Sequence, residues 1–232
     1  MVRKYILLIF ALICLGCAHS PKGYIFQNAV FGSFESGNFD GSMSISELKT
    51  HGDFGMGTLD GLDGEMVVID GYFYQVKSDG KAYLIRQDAK SPFATVVFFE
   101  PDKVLFPGWN TDYPGLCDFI DKNIPSKDKF YALRIKGRFK SIKLRSVPKQ
   151  TKPYPSLKEA LVNQAVFDYN NIEGTLVGFR LPQYMEYLNV PGYHFHFIST
   201  DRSKGGHLLG CAVNEVSVEI DVLDKFSMEL SQ

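Results

Sequence analysis

The chain has 232 residues, 45% of them hydrophobic, and a formal charge of −1. That much apolar surface supports one large domain or two small ones and excludes an intrinsically disordered protein. The near-zero charge excludes the basic footprint of a nucleic-acid or anionic-membrane binder, and the 19 Phe and 12 Tyr favour a strand-rich fold.

Arg3 and Lys4 precede an apolar run over residues 5–15, too short to span a bilayer, so the amino end reads as an export leader. Removing residues 1–16 takes away those two positive charges and no acid, which moves the charge from −1 to −3. The run Cys14-Leu15-Gly16-Cys17 has the small residue and cysteine of a lipoprotein cleavage point. Residues 1–17 are therefore a signal peptide, either of the lipoprotein type, with Cys17 as a lipid anchor, or of the ordinary cleaved type. The expected location is periplasmic, extracellular or membrane-anchored. Beyond the leader only Cys117 and Cys211 remain, too few for a disulfide framework and without the paired spacing of a thiolate metal site.

Past the leader, residues 24–31 read as a strand. Ser44-Ile45-Ser46-Glu47 is a capping box that opens a helix ending near Gly52. Residues 65–69 and 72–76 flank Asp70-Gly71, which predicts a tight hairpin, and 92–100 form a further strand. A second hairpin is expected where Lys136-Gly137 separates 131–135 from 138–147. The Pro- and Lys-rich stretch 148–155 is the best internal boundary. After it, the capping box Ser156-Leu157-Lys158-Glu159 predicts a helix running to about Tyr169. Strands follow at 175–181, 192–199, 207–213 and 216–223. The expectation is an α+β fold, β-rich with mixed or antiparallel sheets, few helices, and one domain or two closely packed lobes.

Three of the five histidines, His194, His196 and His207, fall within fourteen residues. Residues two apart on a strand share a face, so His194 and His196 point one way and Phe195 and Phe197 the other. A turn centred near Asp201 and Arg202 brings His207 opposite His196. Three imidazoles converging from two strands suit a divalent metal, zinc first, with a coordination position left open for catalysis. Exposed or hydrogen-bonded histidines are the plainer reading, but the third residue in register and the Gly205-Gly206 pair weigh against it. His19 and His51 carry no such pattern.

Glu65 starts an apolar strand on the face of Val67 and Ile69, where partial desolvation suits a general acid or base; a solvated strand-end glutamate fits the spacing as well. Arg145 alternates with Ser141 and Lys143 opposite Ile142 and Leu144, the pattern of a solvated basic face. An arginine fork also grips carboxylates, and spacing does not choose among Arg134, Arg138 and Arg145.

Taken together, His51-Gly52-Asp53-Phe54-Gly55-Met56-Gly57-Thr58, Leu62-Asp63-Gly64-Glu65-Met66, Pro92-Phe93-Ala94, Phe98-Phe99-Glu100-Pro101, Arg145-Ser146-Val147-Pro148 and Gly192-Tyr193-His194-Phe195-His196-Phe197 resemble the acetolactate decarboxylases. Asp201-Arg202 and Gly205-Gly206-His207 complete the set, from about Gln27 to the carboxyl end. The resemblance implies a β-rich, two-lobed zinc enzyme, usually a homodimer, that converts 2-acetolactate to acetoin and carbon dioxide through a metal-stabilised enediolate. It makes His194, His196 and His207 the metal ligands, Glu65 and Arg145 the charged catalytic residues, and Thr58 and Arg145 neighbours of the substrate. The family site also draws a glutamate from a carboxyl-terminal tail; no position here matches it, and Glu229 lies too early.

Two other readings stand beside this one. A cupin-like metal oxygenase or isomerase also uses a His-x-His strand, but Ser199, Thr200 and Asp201 occupy the place where such motifs carry a glutamate. A surface metal-binding lipoprotein without catalysis would rest on the leader and Cys17.

Overall fold

The computed structural model describes residues 22–108 and 110–230. The leader, Cys17 and His19 lie outside the described residues. In chain order the first part holds β1 (Tyr24–Asn28), α1 (Phe31–Glu35), β2 (Met43–Ser44), α2 (Ile45–Leu48), β3 (Phe54–Thr58), β4 (Glu65–Ile69), β5 (Tyr72–Val76), β6 (Ala82–Leu84), β7 (Lys90–Ser91) and β8 (Ala94–Val97). Then come β9 (Lys103–Leu105), β10 (Thr111–Asp112), α3 (Tyr113–Asn123), β11 (Phe130–Ser146), α4 (Leu157–Ala160), β12 (Ala165–Leu181), β13 (Gly192–Ser199), β14 (Gly205–Leu223) and β15 (Lys225–Glu229). No helix among the described residues is long and apolar enough to cross a membrane.

Two sheets carry the fold. The first has seven strands in the order β15-β1-β8-β3-β4-β5-β6, antiparallel except where β15 lies parallel to β1. The second runs β10-β14-β11-β12-β13, and a further pairing of β13 with the start of β14 closes four of its strands into a ring. The ring is filled by Tyr131, Leu133, Phe139, Phe195, Phe197 and their neighbours, with Leu116 and Ile120 of α3 packed against them. A second apolar layer lies between the sheets, where Ile25, Phe54, Val67 and Val97 meet Ala132, Val177, Phe179 and Ile198. The architecture is α+β, β-rich, with two packed lobes and few helices.

The first hairpin forms as its sequence dictates: Asp70 and Gly71 both take positive φ, 52° and 75°, the twist that a two-residue turn needs. Both capping boxes close, Ser44 with Glu47 and Ser156 with Glu159. The second helix is far shorter than expected. It ends in a 3-10 turn at Leu161–Asn163, after which β12 runs for 17 residues. Half-buried Ala165, Phe167 and Tyr169 alternating with exposed Val166, Asp168 and Asn170, paired with β11, override the helical start.

The expected hairpin at Lys136-Gly137 does not exist. β11 passes straight through, because both its edges are occupied, by β12 and β14. Gly137, at φ 149°, marks a close approach instead, since a Cβ there would strike the carbonyl oxygen of Glu215. The two strands expected at 207–213 and 216–223 are one, β14, in which Asn214 is a bulge between Val213 and Glu215. β1 stops at Asn28, where Ala29 turns at φ 67° into α1. The sheets exchange chain at 98–102, whereas 148–155 joins β11 to β12, neighbours in one sheet. That stretch straps the first lobe: Gln150 N–H donates to the Gly61 carbonyl at 2.7 Å and the Tyr154 ring packs on Phe39.

Candidate active site

The histidine face is built as the alternation predicts. On β13, His194 pairs with Phe179 and His196 with Val177 across β12, while Phe195 and Phe197 enter the ring core. Beyond Ser199 the turn is tied by Asp201, whose carboxylate accepts from the Ser199 and Ser203 hydroxyls at 2.6 and 2.8 Å and from Ser203 N–H at 3.1 Å. Arg202 takes the left-handed position of that turn, at φ 58°. His207 then faces His196 on one side and Arg145 of β11 on the other. It stands where β14 leaves β13 for β11. Gly205 and Gly206 make that crossing possible, since a Cβ on Gly206 would meet the Arg145 carbonyl oxygen and one on Gly205 the Val76 side chain.

The three rings lie 4.9 to 5.5 Å apart between centroids, and one nitrogen from each can be chosen so that all lie within 4.8 Å of one another. His194 Nε2 and His207 Nδ1 are 3.3 Å apart. A tetrahedral ion about 2.0–2.1 Å from two nitrogens holds them about 3.3–3.4 Å apart, so this spacing fits zinc. Burial lowers the proton affinity of all three imidazoles, most for His194 and His207, and the Arg145 guanidinium lowers each further. On His196 the Glu65 carboxylate offsets part of the effect. Neutral imidazole is the ligating form.

Glu65 and Arg145 come from different lobes and meet here. Arg145 Nη1 donates to Glu65 Oε1 at 2.8 Å, with the side chains 13% and 7% exposed. The solvated basic face expected for Arg145 is not found: this end of β11 is covered by the first lobe, and only Lys143 beside it stays exposed. Arg134 pairs instead with Glu219 and Asp70, and Arg138 with Glu173. Glu65 Oε2 lies 3.3 Å from His196 Nε2. His196 Nδ1, 2.8 Å from the Met66 carbonyl oxygen, must carry the ring proton to bond there. Nε2 is then a lone pair facing a carboxylate oxygen. Two acceptors in contact call for a cation or a proton between them, a second sign that the donor set fits a metal.

Thr58, opposite Glu65 on β3, is buried, and its hydroxyl donates to the Gly64 carbonyl at 2.6 Å. These groups line one cavity of about 320 Å³. Its remaining wall is largely apolar and includes Phe34, Leu62, Phe93, Phe179 and Leu181. Thr95, Asn189 and Tyr193 also line it, and nothing in their spacing marks them in the sequence. Glu229, at the end of β15, is not among the lining residues.

A family model described as Alpha-acetolactate decarboxylase matches residues 25–232. The chain is 46% identical over 213 residues to the alpha-acetolactate decarboxylase of Methanosarcina mazei, covering 92% of this chain and 74% of that one. It is 44% identical over 209 residues to that of Methylococcus capsulatus, covering 90% and 80%. The crystal structure of the Bacillus subtilis strain 168 alpha-acetolactate decarboxylase superposes with a TM-score of 0.88 at 36% identity, covering 90% of this chain and 89% of that one. With the match running through both lobes, the chain belongs to the alpha-acetolactate decarboxylase family.

Proposed function

We propose that the protein decarboxylates 2-acetolactate to acetoin and carbon dioxide at a single zinc ion held by His194, His196 and His207, with Glu65 and Arg145 as its catalytic side chains. The observation that carries this reading is the convergence in one cavity of three neutral imidazoles from the second lobe and a buried Glu65–Arg145 pair that spans both lobes.

Acetolactate has a keto group β to its carboxylate, so loss of carbon dioxide leaves an enediolate whose negative charge needs a partner. A bound zinc ion would supply the Lewis acid for that charge. The Met66 carbonyl holds His196 in the tautomer that aims Nε2 inward. Arg145 adds a fixed positive charge beside His207 and Glu65. Glu65, buried against Arg145 and His196, is placed to pass a proton to one face of the enediolate, which makes the acetoin chiral. Thr58 shapes the wall beside Glu65 and directs its proton away from the cavity. The leader supports export, either with Cys17 as a lipid anchor or after ordinary signal-peptide cleavage, and the family resemblance supports a homodimer.

The test is acetoin formation by the purified protein. Production above the spontaneous rate, abolished by a chelator and restored by zinc, is the expected result. Metal-loaded protein that makes no acetoin would overturn the reading.

A further inference from the structure

The cavity wall carries several polar side chains besides the histidines, and the protons of Thr58, Tyr193 and Asn189 all have acceptors. The Thr58 proton goes to the Gly64 carbonyl, and the Tyr193 hydroxyl bonds the Asp121 carboxylate at 2.7 Å. Asn189, 4% exposed, accepts the Val190 N–H on Oδ1 at 2.6 Å, which fixes the orientation of its amide. Its Nδ2 then donates twice, to Gln27 Oε1 at 2.6 Å and to Thr95 Oγ1 at 3.0 Å. The Gln27 amide is fixed as well, because its Nε2 donates to the Ala29 and Leu188 carbonyls at 2.7 and 2.6 Å.

The chain of donors thus ends on Thr95, which accepts from Asn189. Its own O–H cannot point back along that bond, and among the described residues it meets no acceptor. Thr95 is 2% exposed and lines the cavity. Its side chain lies on the same face of the first sheet as Met56, Thr58 and Glu65, two strands across from Glu65. A buried hydroxyl with its proton directed in this way is a donor that lacks a partner.

We infer that Thr95 is a substrate-binding group whose hydroxyl donates a hydrogen bond to the substrate carboxylate; this rests on the decarboxylase reading. At the histidine end, a metal held by the three imidazoles, together with the Arg145 guanidinium, would take the hydroxyl and keto oxygens of a 2-hydroxy-3-keto acid. The carboxylate is the acceptor left over, and Thr95 is the donor left over in a wall whose other polar donors, Thr58, Asn189 and Tyr193, already have acceptors. A single neutral donor suits a group that must depart: it orients the carboxylate without the charge pairing that would stabilise the ground state against loss of carbon dioxide.

Steady-state kinetics of Thr95→Val and Thr95→Ser test this, with 2,3-butanediol, which keeps two vicinal oxygens and lacks the carboxylate, as a competitive inhibitor. Thr95→Val should raise KM for acetolactate about 10- to 100-fold, and Thr95→Ser should restore most of the loss. The inhibition constant of the diol should stay within about twofold of wild type in both variants. An unchanged KM in Thr95→Val, or a diol that weakens in parallel with acetolactate, would overturn the assignment, the second by showing that Thr95 only packs the wall. If wild type forms no acetoin, the decarboxylase reading fails and takes this inference with it; if wild type turns over and Thr95→Val matches it, this inference alone fails.

Discussion

Glu65 is asked for two things at once. Its Oε1 accepts from the Arg145 guanidinium at 2.8 Å, and its Oε2 lies 3.3 Å from Nε2 of His196. Glu65→Gln keeps the shape and removes the acid. Acetoin turnover should fall by about 10² or more while bound zinc, measured by atomic absorption, stays near one per chain, because the ligands are untouched. Turnover equal to wild type would remove Glu65 from the chemistry. Arg145 has a different signature. In Arg145→Ala the Glu65 carboxylate is left buried and unpaired, so unfolding stability should drop by about 3 kcal/mol. Adding Glu65→Gln to that variant should recover part of the loss by removing the stranded charge. If the double variant is as unstable as the sum of the singles, the ion pair is not what holds this corner.

At the scale of elements, the crossing of β14 from β13 to β11 sets the site. Gly206 stands at φ 145° against the Arg145 carbonyl, so Gly206→Ala should cost about 2 kcal/mol in denaturant unfolding and should weaken zinc binding by displacing His207. Full zinc affinity in that variant would mean that the crossing tolerates a side chain. This crossing was legible in part. The alternation of His194, Phe195, His196 and Phe197 and the turn residues at Asp201 and Arg202 place the three imidazoles together without any structure. The strand Gly192–Ser199 has the bounds that its pattern suggests. Other elements were hidden. α3 is opened by an Asp112 cap with Pro114 in its first turn, yet only Leu116 and Ile120 form its buried stripe, too sparse a period to stand out. Gly137 looked like a turn because a close approach between strands and a tight turn select the same residue. Contacts such as Thr95 to Asn189, 94 positions apart, leave no trace in local pattern.

For the whole molecule, the interface between the lobes has one unusual member. Asp221 on β14 is wholly buried, pairs across to Ala132 in the layer between the sheets, and has one oxygen without a partner among the described residues. Burial pushes its carboxyl up to about 6. A raised carboxyl favours the protonated folded state, so its contribution to stability is fully present below its unfolded value near 4 and is lost as pH rises through about 6. Asp221→Asn should therefore stabilise the protein by roughly 1–3 kcal/mol at pH 8 and by almost nothing at pH 4. Thermal unfolding at the two pH values checks this, and an equal shift at both would assign the effect to packing. The site histidines run the other way: with folded proton affinity depressed, their contribution is present above about 6.5 and is lost as pH falls below it. Comparing Asp221→Asn with wild type at each pH cancels that background.

The three imidazoles of the site all belong to the second lobe, whereas the acid that faces them, and the carbonyl that accepts from His196, belong to the first. On the proposed zinc reading, loading and turnover are therefore separable. On that reading, protein in which the lobes had slipped against each other would hold its ion and remain inert. Metal content alone is then a poor assay of quality, and inactive fractions should be sorted by how well the two halves are docked.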